Sequence, residues 1–282
     1  MTTTTRTTAL DAGTQDLAVA AYEPLAPHYD LFTERSAYEP VIAQIEAWAQ
    51  AQGLRGRRLL DVACGTGKSF VPMLERGYEV AACDISPSMV AEARRKAPAA
   101  EIVVADMRSL PWRRRFDLIT CMDDAVNYLL TAGDLRAALA SMAGALAPEG
   151  ILIFDANTLG TYRGDFAETF EVESGATRFE WHGEASRDVE PGSIVAATMT
   201  IHSPEGTVES RHVQRHWPVD ELREACAAAG FRHVVFRGLA TGPRLAGEPD
   251  DERDLKLVCL ASRPGDPVDR RALARTPATP QR

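Results

Sequence analysis

The 282-residue chain lacks several features that would decide its class quickly. It has no pair of cysteines at C-x-x-C spacing, and its five cysteines, Cys64, Cys83, Cys121, Cys226 and Cys259, are odd in number. Most sit inside apolar segments, so buried, reduced thiols of a cytoplasmic protein fit better than a disulfide framework or a zinc site. No metal site is expected. No apolar run approaches the ~20 residues of a membrane-spanning helix, and the first residues, "MTTTTRTTALDAGTQD", carry no apolar leader. Basic stripes are missing too: net charge is -9, and the one cluster, Arg113-Arg114-Arg115, reads as a solvated turn. The composition therefore excludes a membrane span and speaks against a nucleic-acid partner. It leaves a cytoplasmic globular protein with a sizeable core, 45% of its residues being hydrophobic.

Between about residues 58 and 157 the pattern alternates. "RRLLDVAC", "YEVAACD", "EIVVAD", "FDLITCM" and "GILIFDAN" read as strands, continuously apolar as strands buried on both faces are. Helical segments separate most of them. "SPSMVAEARRKAP" has Ser86 as N-cap, Pro87 in the first turn and cations in the last. A helix over 36–52 precedes the first strand, with Ser36 and Glu39 as a capping box. After 217, "PVDELREACAAAG" reads as a helix, and "FRHVVFRGL" and "DLKLVCLAS" as strands. Seven strands alternating with helices predict an α/β fold: a Rossmann-like, mostly parallel, doubly wound sheet. From 159 to 217 the helical period disappears and Gly-containing turns separate four strand-like runs, an inserted antiparallel β layer. The expected organisation is a disordered head (1–20), a core (21–158 and 218–262), the insertion (159–217) and a disordered tail (263–282).

The stretch "LLDVACGTGKSF", Leu59 to Phe70, holds the chemistry. Gly67-Lys68-Ser69 ends like a phosphate-binding P-loop, but Val62 occupies the place of its first glycine. A dinucleotide loop fits Gly65 and Gly67 but needs a small residue where Phe70 stands. What remains is a row of acids: Asp61, Asp84 and Asp106 end three successive strands, at the sheet edge where open α/β folds bind ligands. Such a rim repels a diphosphate and suits a cationic, hydroxyl-bearing nucleoside.

This pattern resembles the class I S-adenosylmethionine-dependent methyltransferases, over 22–156 by motif and 218–262 by topology. Ala63 stands where the family's first glycine is usual. The resemblance implies S-adenosylmethionine as cofactor and S-adenosylhomocysteine as product. It places the cofactor on the turn Ala63, Cys64, Gly65 and Gly67, with Asp61 facing the methionine amino group. Asp84 would accept the ribose hydroxyls. Ile85 and Met89 would pack on adenine, Asp106 and the Met107 amide would read its edge, and Met122 would line the methionyl end.

"YEPLAPHYDLFTERSAYE" and "CMDDAVNYLLTAGDL" are similar to a small-molecule subgroup that includes sugar-amine, glycine-type and natural-product methyltransferases. In that subgroup the segment at Tyr29-Asp30 folds over the cofactor, and Tyr22 would help close the pocket. Where enzymes of base amines carry Asp/Asn-Pro-Pro-aromatic, this chain reads Met122-Asp123-Asp124-Ala125. The resemblance thus implies methyl transfer to an N or O nucleophile of a small molecule, in specialised, antibiotic-type metabolism. The protein would be a monomer or homodimer.

A hydroxyl acceptor needs a base. Candidates are Tyr29, Asp124 and the histidines of the insertion, His182, His202, His212 and His216. His212 and His216, four apart in a strand, would share a face; the alternative is that they are polar rungs of the sheet. The insertion would roof the site, with Phe166, Phe170, Phe179 and Trp181 either as an apolar wall or as core. Two rivals stay open: a methyltransferase fold catalysing another reaction such as a cyclisation, and a non-enzymatic binder of the cofactor.

Overall fold

A computed structural model of the chain describes residues 8–263 apart from 37, 241–243 and 246. Helix α1 (Thr8–Leu25), a 3-10 turn, and helices α2 (Tyr29–Phe32) and α3 (Tyr38–Ala51) precede the first strand. Then follow β1 (Arg58–Val62), α4 (Val71–Glu75), β2 (Glu79–Asp84), α5 (Pro87–Lys96), β3 (Glu101–Val104), β4 (Phe116–Cys121), α6 (Ala132–Ala145) and β5 (Leu146–Asn157). These strands, with β10 (His233–Leu239) and β11 (Lys256–Ser262), form a seven-stranded sheet in the order β10-β11-β5-β4-β1-β2-β3. β11 runs antiparallel to both its neighbours, and the pairs from β3 to β5 are parallel.

Period-two alternation explains the layers. Leu60, Ile119 and Leu152 face one side, where α6 and α8 (Val219–Ala228) pack with Leu139, Met142 and Leu222. Leu59, Leu118 and Ile153 face the other, against Ile45, Trp48 and Val90 of α3 and α5. α5 starts as its sequence says it should: Ser86 Oγ accepts the Met89 amide at 3.1 Å. The capping box at Ser36 and Glu39 is not the arrangement found, because the Glu39 carboxylate accepts from Arg76 Nη1 at 2.9 Å instead.

After β5 come the short helix α7 (Leu159–Arg163) and a separate antiparallel sheet. It consists of β6 (Thr169–Ser174), β7 (Thr177–Gly183), β8 (Ile194–Ser203) and β9 (Gly206–Arg215), in that order. Its turns sit at Gly175, Gly192 and Gly206, each with positive φ.

The head departs from expectation. Residues 1–7 lie outside the described residues, but Thr8 onward is helical. The end of α1 buries Ala21 and Leu25 against the small sheet, and Ser210 Oγ donates to the Ala21 carbonyl at 2.5 Å. Small alanines, unremarkable as sequence, allow that close approach. The tail from 264 lies outside the described residues. All five cysteines are buried and free. No helix among the described residues is long and apolar enough to cross a membrane.

Candidate active site

The carboxyl ends of β1, β2 and β4 open on a cavity of about 640 Å³. Its floor is the glycine turn. Gly65 has φ +52, and a side chain there would meet nothing within 4 Å, so open space lies directly over its backbone. Gly67 also needs its positive φ, but its Cβ position abuts the Phe70 ring at 2.8 Å, so this glycine serves packing of the turn. Ala63 lines the cavity with φ 55, a left-handed conformation that costs a non-glycine residue about 1–2 kcal/mol.

Asp84 lines the cavity and is oriented by its own loop: its Oδ2 accepts from the Gly65 amide at 2.8 Å and its Oδ1 from the Ser86 amide at 2.9 Å. Burial raises its pKa against those hydrogen bonds. Asp61 lies one layer deeper. It accepts from Ser69 Oγ at 2.5 Å and Thr120 Oγ1 at 2.6 Å, and burial pushes its carboxyl up to about 6. Ser69, which lines the cavity, therefore stands between Asp61 and any ligand. Cys64, Ile85, Met107 and Met122 line the same cavity, as do Tyr22 and Tyr29.

Two residues sit otherwise than expected. Met89 is fully buried and lines neither cavity at this rim. Asp106 borders an adjoining cavity of about 440 Å³ but already holds Arg108: it accepts the Arg108 amide at 2.9 Å and pairs with its guanidinium at 2.8 Å, while Arg108 also reaches Asp134 at 2.5 Å.

Residues 22–36 and Tyr38 form the roof. Glu23 accepts from Ser86 Oγ and Ser88 Oγ, both at 2.6 Å, and these bonds hold its carboxyl below the ordinary range against the upward push of burial. Asp30 accepts from Thr66 Oγ1 at 2.6 Å and pairs with Lys96 at 2.5 Å. Lys68, the lysine of the P-loop-like ending, donates to the Thr33 carbonyl at 2.6 Å. It fastens the roof to the glycine turn.

Beyond Tyr22 and Tyr29 lies a second cavity, of about 1070 Å³, between the large sheet and the small one. At its junction with the first stand Asp123 and Asp124, consecutive non-glycine residues with φ 58 and 52. Each such residue costs on the order of 1–3 kcal/mol, and strain of this kind collects at functional sites. Asp155 holds them, accepting the Asp123 amide at 3.0 Å and the Asp124 amide at 2.6 Å. Lys256 reaches Asp124 at 2.9 Å, and Asp123 and Asp155 at 3.5 Å each. Those carboxylates raise the lysine pKa despite its burial. Tyr38 donates to Asp123, and Gln214 Nε2 to Asp124 at 2.5 Å.

His212 lines this second cavity within a directional chain. Tyr22 donates to Tyr128 at 3.1 Å, so the Tyr128 proton goes to His212 Nδ1 at 2.7 Å. Nε2–H then donates to Ser210 Oγ at 2.9 Å. Burial lowers the His212 pKa to about 4, and the ring is neutral. His216 does not join it. β9 ends at Arg215, so the four-residue spacing no longer fixes a common face. His216 is buried, accepts the Gly192 amide at 3.1 Å and faces Asp251 at 3.2 Å. His182 and His202 bond to Thr169 and Thr207, away from both cavities.

Sequence reasoning missed Tyr38, Asp123, Tyr128, Gln214 and Lys256. Tyr38, Asp123 and Tyr128 do lie inside the two stretches singled out above, and Lys256 is a cation opening an otherwise apolar strand.

Residues 59–150 match a family model described as a methyltransferase domain. The chain is 28% identical over 237 residues to the dTDP-3-amino-3,6-dideoxy-alpha-D-glucopyranose N,N-dimethyltransferase of Streptomyces fradiae, covering 79% of this chain and 92% of that one. Its fold is similar to the crystal structure of an S-adenosylmethionine-dependent methyltransferase from Clostridium acetobutylicum, with TM-score 0.71, 20% identity and coverage of 86% and 99%. It is also similar to a sugar N-methyltransferase from a Streptoalloteichus species, with TM-score 0.64, 25% identity and coverage of 83% and 92%.

Proposed function

We propose that this chain, a class I S-adenosylmethionine-dependent methyltransferase acting on a small molecule, delivers the methyl group to an amine. The first cavity fits the cofactor. Open space over Gly65 admits a ligand against bare backbone, Asp84 borders it with a carboxylate suited to ribose hydroxyls, and Ile85 with Met107 offers an apolar slot for adenine. Asp61, reached through Ser69, supplies negative charge at the methionyl end. When bound, the cofactor supplies a methyl group already activated on a sulfonium. The protein's own task is to hold the acceptor beside it and keep water away.

The observation that carries the amine reading is the Asp123–Asp124 pair, fixed in strained backbone where the two cavities meet. Asp123 and Asp124 share one cation, Lys256, which leaves net negative charge to collect an ammonium, and Tyr22 and Tyr29 add aromatic walls that favour a cation. The amine reacts once a proton is lost, and no strong base is required. Positioning accounts for the acceleration, on the order of 7–11 kcal/mol at best. The relatives whose names give sugar amines as acceptors support the same reading.

The test is a panel of amines and matching alcohols, with S-adenosylhomocysteine release and acceptor mass read together. Amines should gain one or two methyl groups. Asp124→Asn should raise the amine KM by about 10–100-fold, the worth of a lost charge-assisted hydrogen bond. Methylation of the alcohols alone would overturn the proposal.

A further inference from the structure

We infer that the acceptor is a phosphate-free amine bearing an apolar ring or chain, rather than the amine of a nucleotide-linked sugar; this rests on the amine reading above and narrows it. The Streptomyces fradiae relative is named for a dTDP-linked acceptor. In such a molecule the diphosphate lies one sugar ring from the amine, so it must sit in the acceptor cavity or at its mouth. The charged side chains lining that cavity among the described residues are Asp123, Asp124, Asp165 and Lys256. Lys256 is committed to three carboxylates. Nearby, Arg163 pairs with Glu252 at 2.8 Å and Arg215 with Glu221 at 3.1 Å, and neither these nor Arg35 line the cavity. His212 is neutral and already accepts the Tyr128 proton. A diphosphate seated here would face three carboxylates and a single lysine already paired with two of them, and like charges facing each other in a partly dry site repel strongly.

What the cavity offers instead is apolar surface. Phe170 on β6, 37% exposed, stacks on Trp181 with centroids 6.0 Å apart and planes inclined by 22°. Trp181 is locked by its Nε1–H to the Asp165 carbonyl at 2.8 Å and by the edge of Phe166. The result is a rigid aromatic shelf at the mouth. On the opposite side of Tyr38 and Asp123 a further cavity of about 500 Å³ is lined by Val41, Ile42 and Leu239. An amine placed at the aspartates therefore has apolar walls on both flanks.

The test uses the full chain with three acceptors: an aryl glycoside of an amino sugar, the same amino sugar linked to dTDP, and the aryl glycoside with hydroxyl in place of amine. The aryl amine should exceed the nucleotide-linked amine in kcat/KM by about 100-fold, reflecting the unpaired phosphate charge. Phe170→Lys, at an exposed position, should shrink that gap about tenfold by placing a cation at the mouth and removing the shelf. Equal or faster turnover of the dTDP-linked amine overturns this inference and leaves the amine reading standing. Turnover of the hydroxyl glycoside alone, or of neither amine, removes both.

Discussion

The Asp155 carboxylate accepts the backbone N–H of Asp124 at 2.6 Å, reaching across from the neighbouring strand of the sheet. A residue that is itself 2% exposed thereby sets the backbone of the residue offered to the acceptor. Asp155→Asn replaces one accepting oxygen with a donor facing a donor. We expect a loss of about 1–3 kcal/mol in stability, the cost of a buried unpaired polar group, together with a lower kcat/KM. Chemical denaturation and steady-state kinetics check both, and normal values in each would show that the left-handed pair needs no such support.

Asp84→Ala should weaken S-adenosylmethionine binding by about 1.5–3 kcal/mol through loss of a charged acceptor at the ribose. Calorimetry measures it directly, with NAD and ATP as controls that should not bind. An unaltered affinity would remove Asp84 from the cofactor site.

Ala63 invites the opposite experiment. Ala63→Gly relieves a left-handed alanine at about 1–2 kcal/mol and costs about 0.5–1 kcal/mol in chain entropy, for a net gain of roughly 0.5–1 kcal/mol. A raised melting temperature is expected; a lowered one would mean that the methyl group's packing against the core outweighs the backbone.

Cofactor affinity should depend on pH through Asp61, whose carboxyl burial lifts to about 6. Below that value the free protein carries a proton there, and a cationic ligand must expel it. Affinity therefore falls as pH drops below about 6, by up to about tenfold per unit, and levels off above it. Calorimetry at pH 5 and pH 7.5 should show the difference, and Asp61→Asn should flatten it. A wild-type affinity that is the same at both values would place Asp61 out of electrostatic reach of the ligand.

The sheet could be read from the chain because each strand is an apolar run bounded by its own turn signals, and Ser86 and Pro87 mark a helix start that is found where expected. The rim of acids was legible for the same local reason: an acid ending a parallel strand lies on the ligand-binding edge whatever its distant neighbours do. The acceptor side is different in kind. Tyr38 comes from α3, Asp123 from the loop after β4, Gln214 from β9 and Lys256 from β11, and no spacing relates them. His216 falls one residue past the end of its strand. α1 escaped notice because its contacts use alanine and backbone oxygen, which have no pattern in sequence.

The roof also bears on how the protein is made. Its ties reach forward 36 residues from Asp30 to Thr66, 63 from Glu23 to Ser86 and 189 from Ala21 to Ser210. On the ribosome the end of α1 thus emerges well before β9, the strand on which it docks. Contacts of such long range form late. Ligand-binding competence should therefore arrive only after β9 has left the exit tunnel, and shortened chains ending before residue 206 should lack the His212, Gln214 and Lys256 walls of the second cavity.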